Sequence, residues 1–419
     1  MRLHIKNARV VDPATGREGP GDVFVNDGRL VASLTDPNRT IDAKGLVVAP
    51  GLIDLSARLR EPGFEYKATL ESEMDAALAG GVTSLACPPD TDPPLDEPGL
   101  VDMLRRRAKA LSRARVYPIG ALTVKLAGET LTEMGQLSDA GCVAFSQANV
   151  PLADTQMLWR ALQYAATFGF PVWLRAEDAG LARGGVAHDG EVATRLGLPG
   201  IPAFAETIAI NTILELVRAT GARVHICRLS SAGGVELMRR AKEEKLPVSC
   251  DVAIHHVHLC DMDLGYFDSH CRLEPPLRSQ RDRDALARGL AEGAIDCLCS
   301  DHTPVDEDGK HLPFAQAEPG ATGLELLLPL ALKWGQARGL PLAKTLARIT
   351  CEPARILGVE SGRIATGAPG DLVIFDPAAP FDVSAAALRS QGKNTPFLGY
   401  ELAGRVRYTI VAGNVVYES

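Results

Sequence analysis

Residues 51–63 read GLIDLSARLREPG, and the fold turns on how this stretch is read. Leu52-Ile53-Asp54-Leu55 is a short apolar run, introduced by Gly51 and followed by a polar turn ending in Glu61-Pro62-Gly63. A run of this kind marks a strand buried on both faces, as in a parallel sheet. Seven similar runs follow: TSLACPP (83–89), RVYPIGAL (115–122), CVAFS (142–146), PVWLRAED (171–178), RVHICRLSS (223–231), LPVSCDVAI (246–254) and IDCLCSDH (295–302). Between them lie ESEMDAALAGG (71–81), DMLRRRAKALSR (102–113), TQMLWRALQYAATFG (155–169), ETIAINTILELVRATG (206–221) and VELMRRAKEEK (235–245). Their apolar residues recur at i, i+3, i+4 and i+7, the stripe with which a helix packs on a sheet. Eight such units across residues 50–362 predict an α/β fold of the (β/α)8 TIM-barrel type.

The two ends have another texture. LHIKNARVVD (3–12), DVFVNDGRLVASL (22–34) and GLVVAP (45–50) are short β-like pieces, and Asn26-Asp27-Gly28 is a tight-turn signal. GRIATGAPGDLVIFDP (362–377) and GRVRYTIVAGNVVYES (404–419) repeat the style, with a second turn at Ala412-Gly413-Asn414. Together they predict a small β-sandwich assembled from residues 1–49 and 363–419 around the barrel.

The 419 residues are 46% hydrophobic and 23% charged, as expected of a globular chain. A net charge of -8 argues against nucleic-acid or polybasic membrane binding. No signal peptide or membrane-spanning run is visible, so a cytoplasmic protein is expected. Nine cysteines stand singly at 87, 142, 227, 250, 260, 271, 297, 299 and 351, without the CxxC spacing of a cysteine zinc site. They read as reduced thiols.

Barrel chemistry sits at the carboxyl ends of the strands. The residues there are Ser56, Arg58 and Arg60; Asp90; Ser146-Gln147-Ala148-Asn149; Arg175 and Glu177; Arg228; His255, His256 and His258; and Asp301-His302. His225, inside RVHIC, reads as a buried core histidine with a hydrogen-bond partner.

At this point the chain resembles the long-type bacterial dihydroorotases of the amidohydrolase superfamily. The likeness rests on PGLID (50–54), LREPG (59–63), GGVTSLACPPDTDPPLD (80–96), GCVAFS (141–146), AED (176–178) and GLPGIPAFAE (197–206). It continues through TGARVHIC (220–227), EPPLRS (274–279), SDHTP (300–304) and GKNTPFLGY (392–400). That family cyclises carbamoyl aspartate to dihydroorotate with one or two zinc ions. The resemblance puts its first-strand His-x-His pair on Ser56 and Arg58, its bridging acidic residue on Gln147 or Ala148, and its next two histidines on Arg175 and Arg228. Only the last metal ligand and general base is kept, as Asp301. Arg60 matches the arginine that clamps the substrate carboxylate, while the neighbouring asparagines fall on Asp90 and Glu274.

Arginine has no lone pair to give a metal, so no metal and no other cofactor is expected at this place. Arg58, Arg175 and Arg228 are expected instead to pair with Asp90, Glu274 and Asp301 in a salt-bridged plug, and Arg60 to pair with Asp90 or Glu274. His255, His256 and His258 read as polar loop histidines, with a metal set of His255 and His258 beside Asp301 or His302 as the lesser alternative. The resemblance points further, to the inactive dihydroorotase homologues that bind aspartate transcarbamoylase, in which this chain would be a structural subunit. On its own such a chain is expected to be a homodimer. Two other readings stand beside it: a hydrolase of cyclic amides with an altered metal site, and a regulator whose arginine-rich mouth holds an anion.

Overall fold

The computed structural model describes all 419 residues. Eight parallel strands form the central barrel: β1 (Leu52–Asp54), β2 (Val82–Cys87), β3 (Arg115–Ala121), β4 (Ala144–Ser146), β5 (Val172–Leu174), β6 (Val224–Ile226), β7 (Val248–Ala253) and β8 (Cys297–Cys299). Each pairs with its neighbour in order, and the ring closes where Arg58 N donates to His302 O at 2.8 Å and His302 N to Ser56 O at 3.0 Å. The stretch GLIDLSARLREPG therefore supplies both the first strand and the seam.

Helices cover the outside: α1 (Leu70–Ala79), α2 (Pro98–Leu111), α3 (Met134–Ala140), α4 (Thr155–Phe168), α5 (Ala203–Thr220), α6 (Ala232–Glu243), α7 (Gln280–Glu292) and α8 (Leu327–Ala337). Their ends follow local chemistry. In α4 the Asp154 carboxylate caps Gln156 N and Met157 N, and Gly169 ends the helix at φ 73°, where a side chain would be strained. The barrel interior holds Ile53, Leu55, Ala86, Ile119, Ala144, Trp173, Ala253, Cys297 and Cys299, with Ala354 and Leu357 of α9 (Cys351–Leu357) packed against them.

The chain ends build one β unit, hydrogen-bonded as a single eight-stranded sheet. Strand Arg2–Asp12 pairs antiparallel with Arg17–Asn26 and parallel with both Arg39–Asp42 and Val47–Pro50. Leu372–Asp382 then joins Val47–Pro50 to the C-terminal hairpin. Both turns expected from sequence are present: Asp27 and Gly28 have φ of 48° and 79°, Ala412 and Gly413 of 47° and 74°. Residues from both ends share one core of 14 buried side chains. Val47, Val373, Phe375 and Val406 belong instead to the large core beneath the barrel helices, so the sheet and barrel are packed without a gap.

Candidate functional site

Three guanidiniums and four carboxylates meet at the carboxyl end of the barrel. Arg58 Nε donates to Asp90 Oδ2 at 2.7 Å, Nη1 to Asp301 Oδ1 at 3.3 Å and Nη2 to Asn149 Oδ1 at 3.0 Å. Arg228 Nη1 reaches the same Asp301 oxygen at 3.0 Å and its Nη2 the same Asn149 oxygen at 2.6 Å. Ser56 Oγ adds a third donor to Asp301 Oδ1 at 3.3 Å. Arg175 forks onto both oxygens of Glu177 at 2.7 Å and also donates to Glu274 Oε1 at 3.1 Å and Asn149 O at 2.7 Å. Asn149 Nδ2 closes the circuit on Glu274 Oε2 at 3.1 Å.

The backbone holds this cluster in an uncommon shape. Arg60, Ala148, Arg228 and Asp301 have φ of 61°, 50°, 55° and 46°, all in the left-handed region that non-glycine residues avoid. Arg228 is fixed from below, its backbone N donating to Asp251 Oδ1 at 2.6 Å. The loop beyond it is clamped by buried Glu206, which accepts from Ser230 N at 2.8 Å and Ser231 N at 2.9 Å. Strain of this kind clusters where a fold positions chemistry.

Electrostatics hold the cluster together, although Asp90 Oδ1, Arg175 Nε and Arg228 Nε are buried without a partner. Burial works against the charge on Arg58, but Asp90 and Asp301 outweigh it and push the guanidinium up. Burial likewise disfavours the Asp301 carboxylate, yet Arg228 and Arg58 hold it below the usual range. Asp90 is lowered the same way, Arg58 overcoming burial. The family's metal does not fit here. The ligand positions offer Ser56 Oγ and the Asp301 carboxylate, whose Oδ1 already carries three donors, amid guanidiniums that would repel a dication. Asn149→Ala removes the only acceptor shown for Arg58 Nη2 and Arg228 Nη2; denaturant unfolding should show a loss of about 1–3 kcal/mol.

Several expectations need correction. Arg60 pairs with neither Asp90 nor Glu274, because Arg58 takes the first and Arg175 and Asn149 the second. Its Nε donates to Pro304 O at 2.8 Å, and its guanidinium lies 5.9 Å from the Phe64 ring centroid. Gln147 turns out of the mouth, bonded to Thr123 Oγ1 at 3.0 Å and Leu126 O at 2.7 Å, and Ala148 brings no polar side chain. His302 is held away from the mouth by Glu73, whose Oε2 lies 2.6 Å from Nε2, while Gly323 N donates to Nδ1 at 3.1 Å. The three loop histidines do not form a metal set. His256 bonds Pro275 O at 3.1 Å, His258 bonds Leu330 O at 2.9 Å, and His255 stacks on Phe397. His225 is buried between Ser249 and Asp251, each 2.8 Å away.

Asn149 and Glu177 were missing from the plug as read from sequence. The signal for Glu177 is its place two residues beyond Arg175, on the same side of an extended chain. Asn149 follows the run already marked after β4, and its amide can accept from two arginines while donating to a carboxylate.

Comparison with known proteins bears on what such a mouth belongs to. A family model described as Dihydro-orotase-like matches residues 45–233, and one described as Amidohydrolase family matches residues 184–417. The chain is 45% identical over 423 residues to a dihydroorotase-like protein of Pseudomonas aeruginosa, covering 100% of both. It is 41% identical over 424 residues to a dihydroorotase of Geobacter sp. (strain M21), again covering 100% of both. The chain belongs to the dihydroorotase-like amidohydrolases. An L-hydantoinase of Arthrobacter aurescens shares the fold with a TM-score of 0.88 at 26% identity, over 99% of this chain and 96% of that one. The dihydroorotase-like frame thus extends over both the barrel and the terminal sheet. No helix of this dihydroorotase-like chain is long and apolar enough to cross a membrane.

Proposed function

We propose that this chain is a non-catalytic dihydroorotase homologue that serves pyrimidine synthesis as a structural subunit, assembling with aspartate transcarbamoylase. The observation that supports it most is the occupation of the ligand positions by Arg58, Arg175 and Arg228, each paired with carboxylates of the same chain. A metal-dependent hydrolysis needs an electrophile and a free base. Here Asp301 is tied to two arginines, and the fold around it is complete. A frame kept whole with its chemistry neutralised is of use through its surface. Co-expression with the transcarbamoylase of the same organism, followed by size-exclusion and activity measurement, tests the reading. Co-elution in a larger species with raised transcarbamoylase activity is expected; two separate peaks with unchanged activity would defeat it.

A second reading has its own support. Asp301 is retained, and Arg60 stands at the mouth without a carboxylate partner, as a substrate clamp would. This reading makes the chain a hydrolase of cyclic amides with an altered metal site. Turnover of dihydroorotate or hydantoin with added metals, lost in Asp301→Ala, would favour it over the structural role.

A further inference from the structure

One cluster of donors lies below the mouth and touches the plug only where Asp251 Oδ1 accepts from Arg228 N. His225 and Cys227 are two residues apart along β6 and its continuation, so both side chains face the barrel interior, and Asp251 on β7 stands beside them. A nitrogen of His225, the sulfur of Cys227 and an oxygen of Asp251 all lie within 4.8 Å of one another. We propose that His225, Cys227 and Asp251 form a binding site for a borderline-soft divalent transition metal, with zinc as the fitting ion, inside the barrel and below the arginine plug.

Four features of the geometry support this. The ring of His225 is oriented as a metal ligand requires: Nδ1 lies 2.8 Å from Ser249 Oγ, which can fix the tautomer and leave Nε2 as the donor. Bonds of 2.0–2.3 Å in a tetrahedral shell place the donor atoms about 3.2–3.8 Å apart. The His225 Nε2 to Asp251 Oδ2 distance of 2.8 Å and the outer bound of 4.8 Å bracket that value, so shifts of a few tenths of an ångström suffice for the closest pair. Cys227 packs against the buried interior cluster and is itself half-buried. A cavity of about 320 Å³ lined by Trp173, His225, Val248 and Ser249 opens the lower part of the barrel to this cluster. The fourth position falls to Cys299, whose sulfur lies 3.4 Å from Asp251 Oδ1, or to a water.

Charge is consistent with a dication. Asp251 and the Cys227 thiolate neutralise it, while the Arg228 guanidinium is turned up to Asp301 and Asn149. Binding releases the Cys227 proton to solvent. Because that proton must leave, affinity should rise with pH. The site is independent of whether the mouth turns over substrate.

Cobalt(II) titration of the full chain after chelator treatment tests it. The expected result is one ion per chain, with a near-ultraviolet sulfur-to-cobalt charge-transfer band whose intensity tells one thiolate from two. Zinc should displace it. Cys227→Ser, a near-isosteric change, should abolish the band, or halve it where Cys299 is the fourth ligand, with the circular dichroism unchanged; His225→Gln should weaken binding at least tenfold. No band in the parent chain would overturn the proposal. So would a band undiminished in Cys227→Ser, or binding lost on Asp301→Ala but not on Cys227→Ser.

Discussion

Asp301→Ala is expected to destabilise the chain by about 3–5 kcal/mol, the loss typical of breaking a buried ion pair from one side. Asp301 accepts from Arg58, Arg228 and Ser56 through one oxygen and is 7% exposed. Without it, Arg58 retains Asp90, but Arg228 is left with Asn149 and a like charge beside it. Mutual repulsion of the two guanidiniums already opposes the charge on Arg58, so removing the carboxylate adds to a standing conflict. Adding Arg228→Met should recover part of the loss, because an apolar residue in place of a buried charge is often neutral or better. Equilibrium unfolding in denaturant measures both variants as a double-mutant cycle. A change within about 0.5 kcal/mol for Asp301→Ala would mean that the carboxylate is not paired as described.

The second large effect is on pH dependence. Burial lowers His255 to about 3, and lowers His256 and His258 to about 4, from an ordinary 6.5. All three are neutral in the folded chain near pH 5 and protonated in the unfolded one. Their stabilising contribution is full above pH 6.5 and is lost as pH falls toward 4. Asp54 acts in the opposite sense: burial raises it to about 6, so the folded chain holds a proton that the unfolded chain has released above 3.8. Three protons less one leave about two taken up on unfolding near pH 5, a slope of about 2.7 kcal/mol per pH unit. His188 and His270, also lowered by burial, act in the same direction as the three. Stability should therefore drop steeply between pH 6.5 and 5 in unfolding curves, and His258→Gln should flatten the slope by about half. A flat profile, or stability rising toward pH 5, would show that these imidazoles are not buried neutral.

The barrel was legible because its strands are apolar runs with polar ends, a pattern set by burial on both faces. The composite sheet followed from turn chemistry at Asp27-Gly28 and Ala412-Gly413, positions that need positive φ. The arginines and Asp301 were legible as types at known strand ends, and so was their pairing in outline. Which carboxylate meets which arginine was not. Partner choice depends on side-chain reach across strands, and that is how Glu177 displaced Asp90 and Glu274 as the main partner of Arg175, and how Arg60 came to rest on Pro304 O. His302 beside Asp301 read as a neighbour in chemistry, but the chain turns at Asp301, whose φ is 46°, and Glu73 holds the His302 ring away from the mouth.

We propose that the mouth of this barrel, closed by its own ion pairs, supports no turnover. Dihydroorotate hydrolysis and carbamoyl aspartate cyclisation by the purified chain, with zinc supplied and Asp301→Ala run beside it, test that most directly. The account predicts no turnover above the buffer blank in either protein. Turnover in the parent chain that disappears in Asp301→Ala would contradict it.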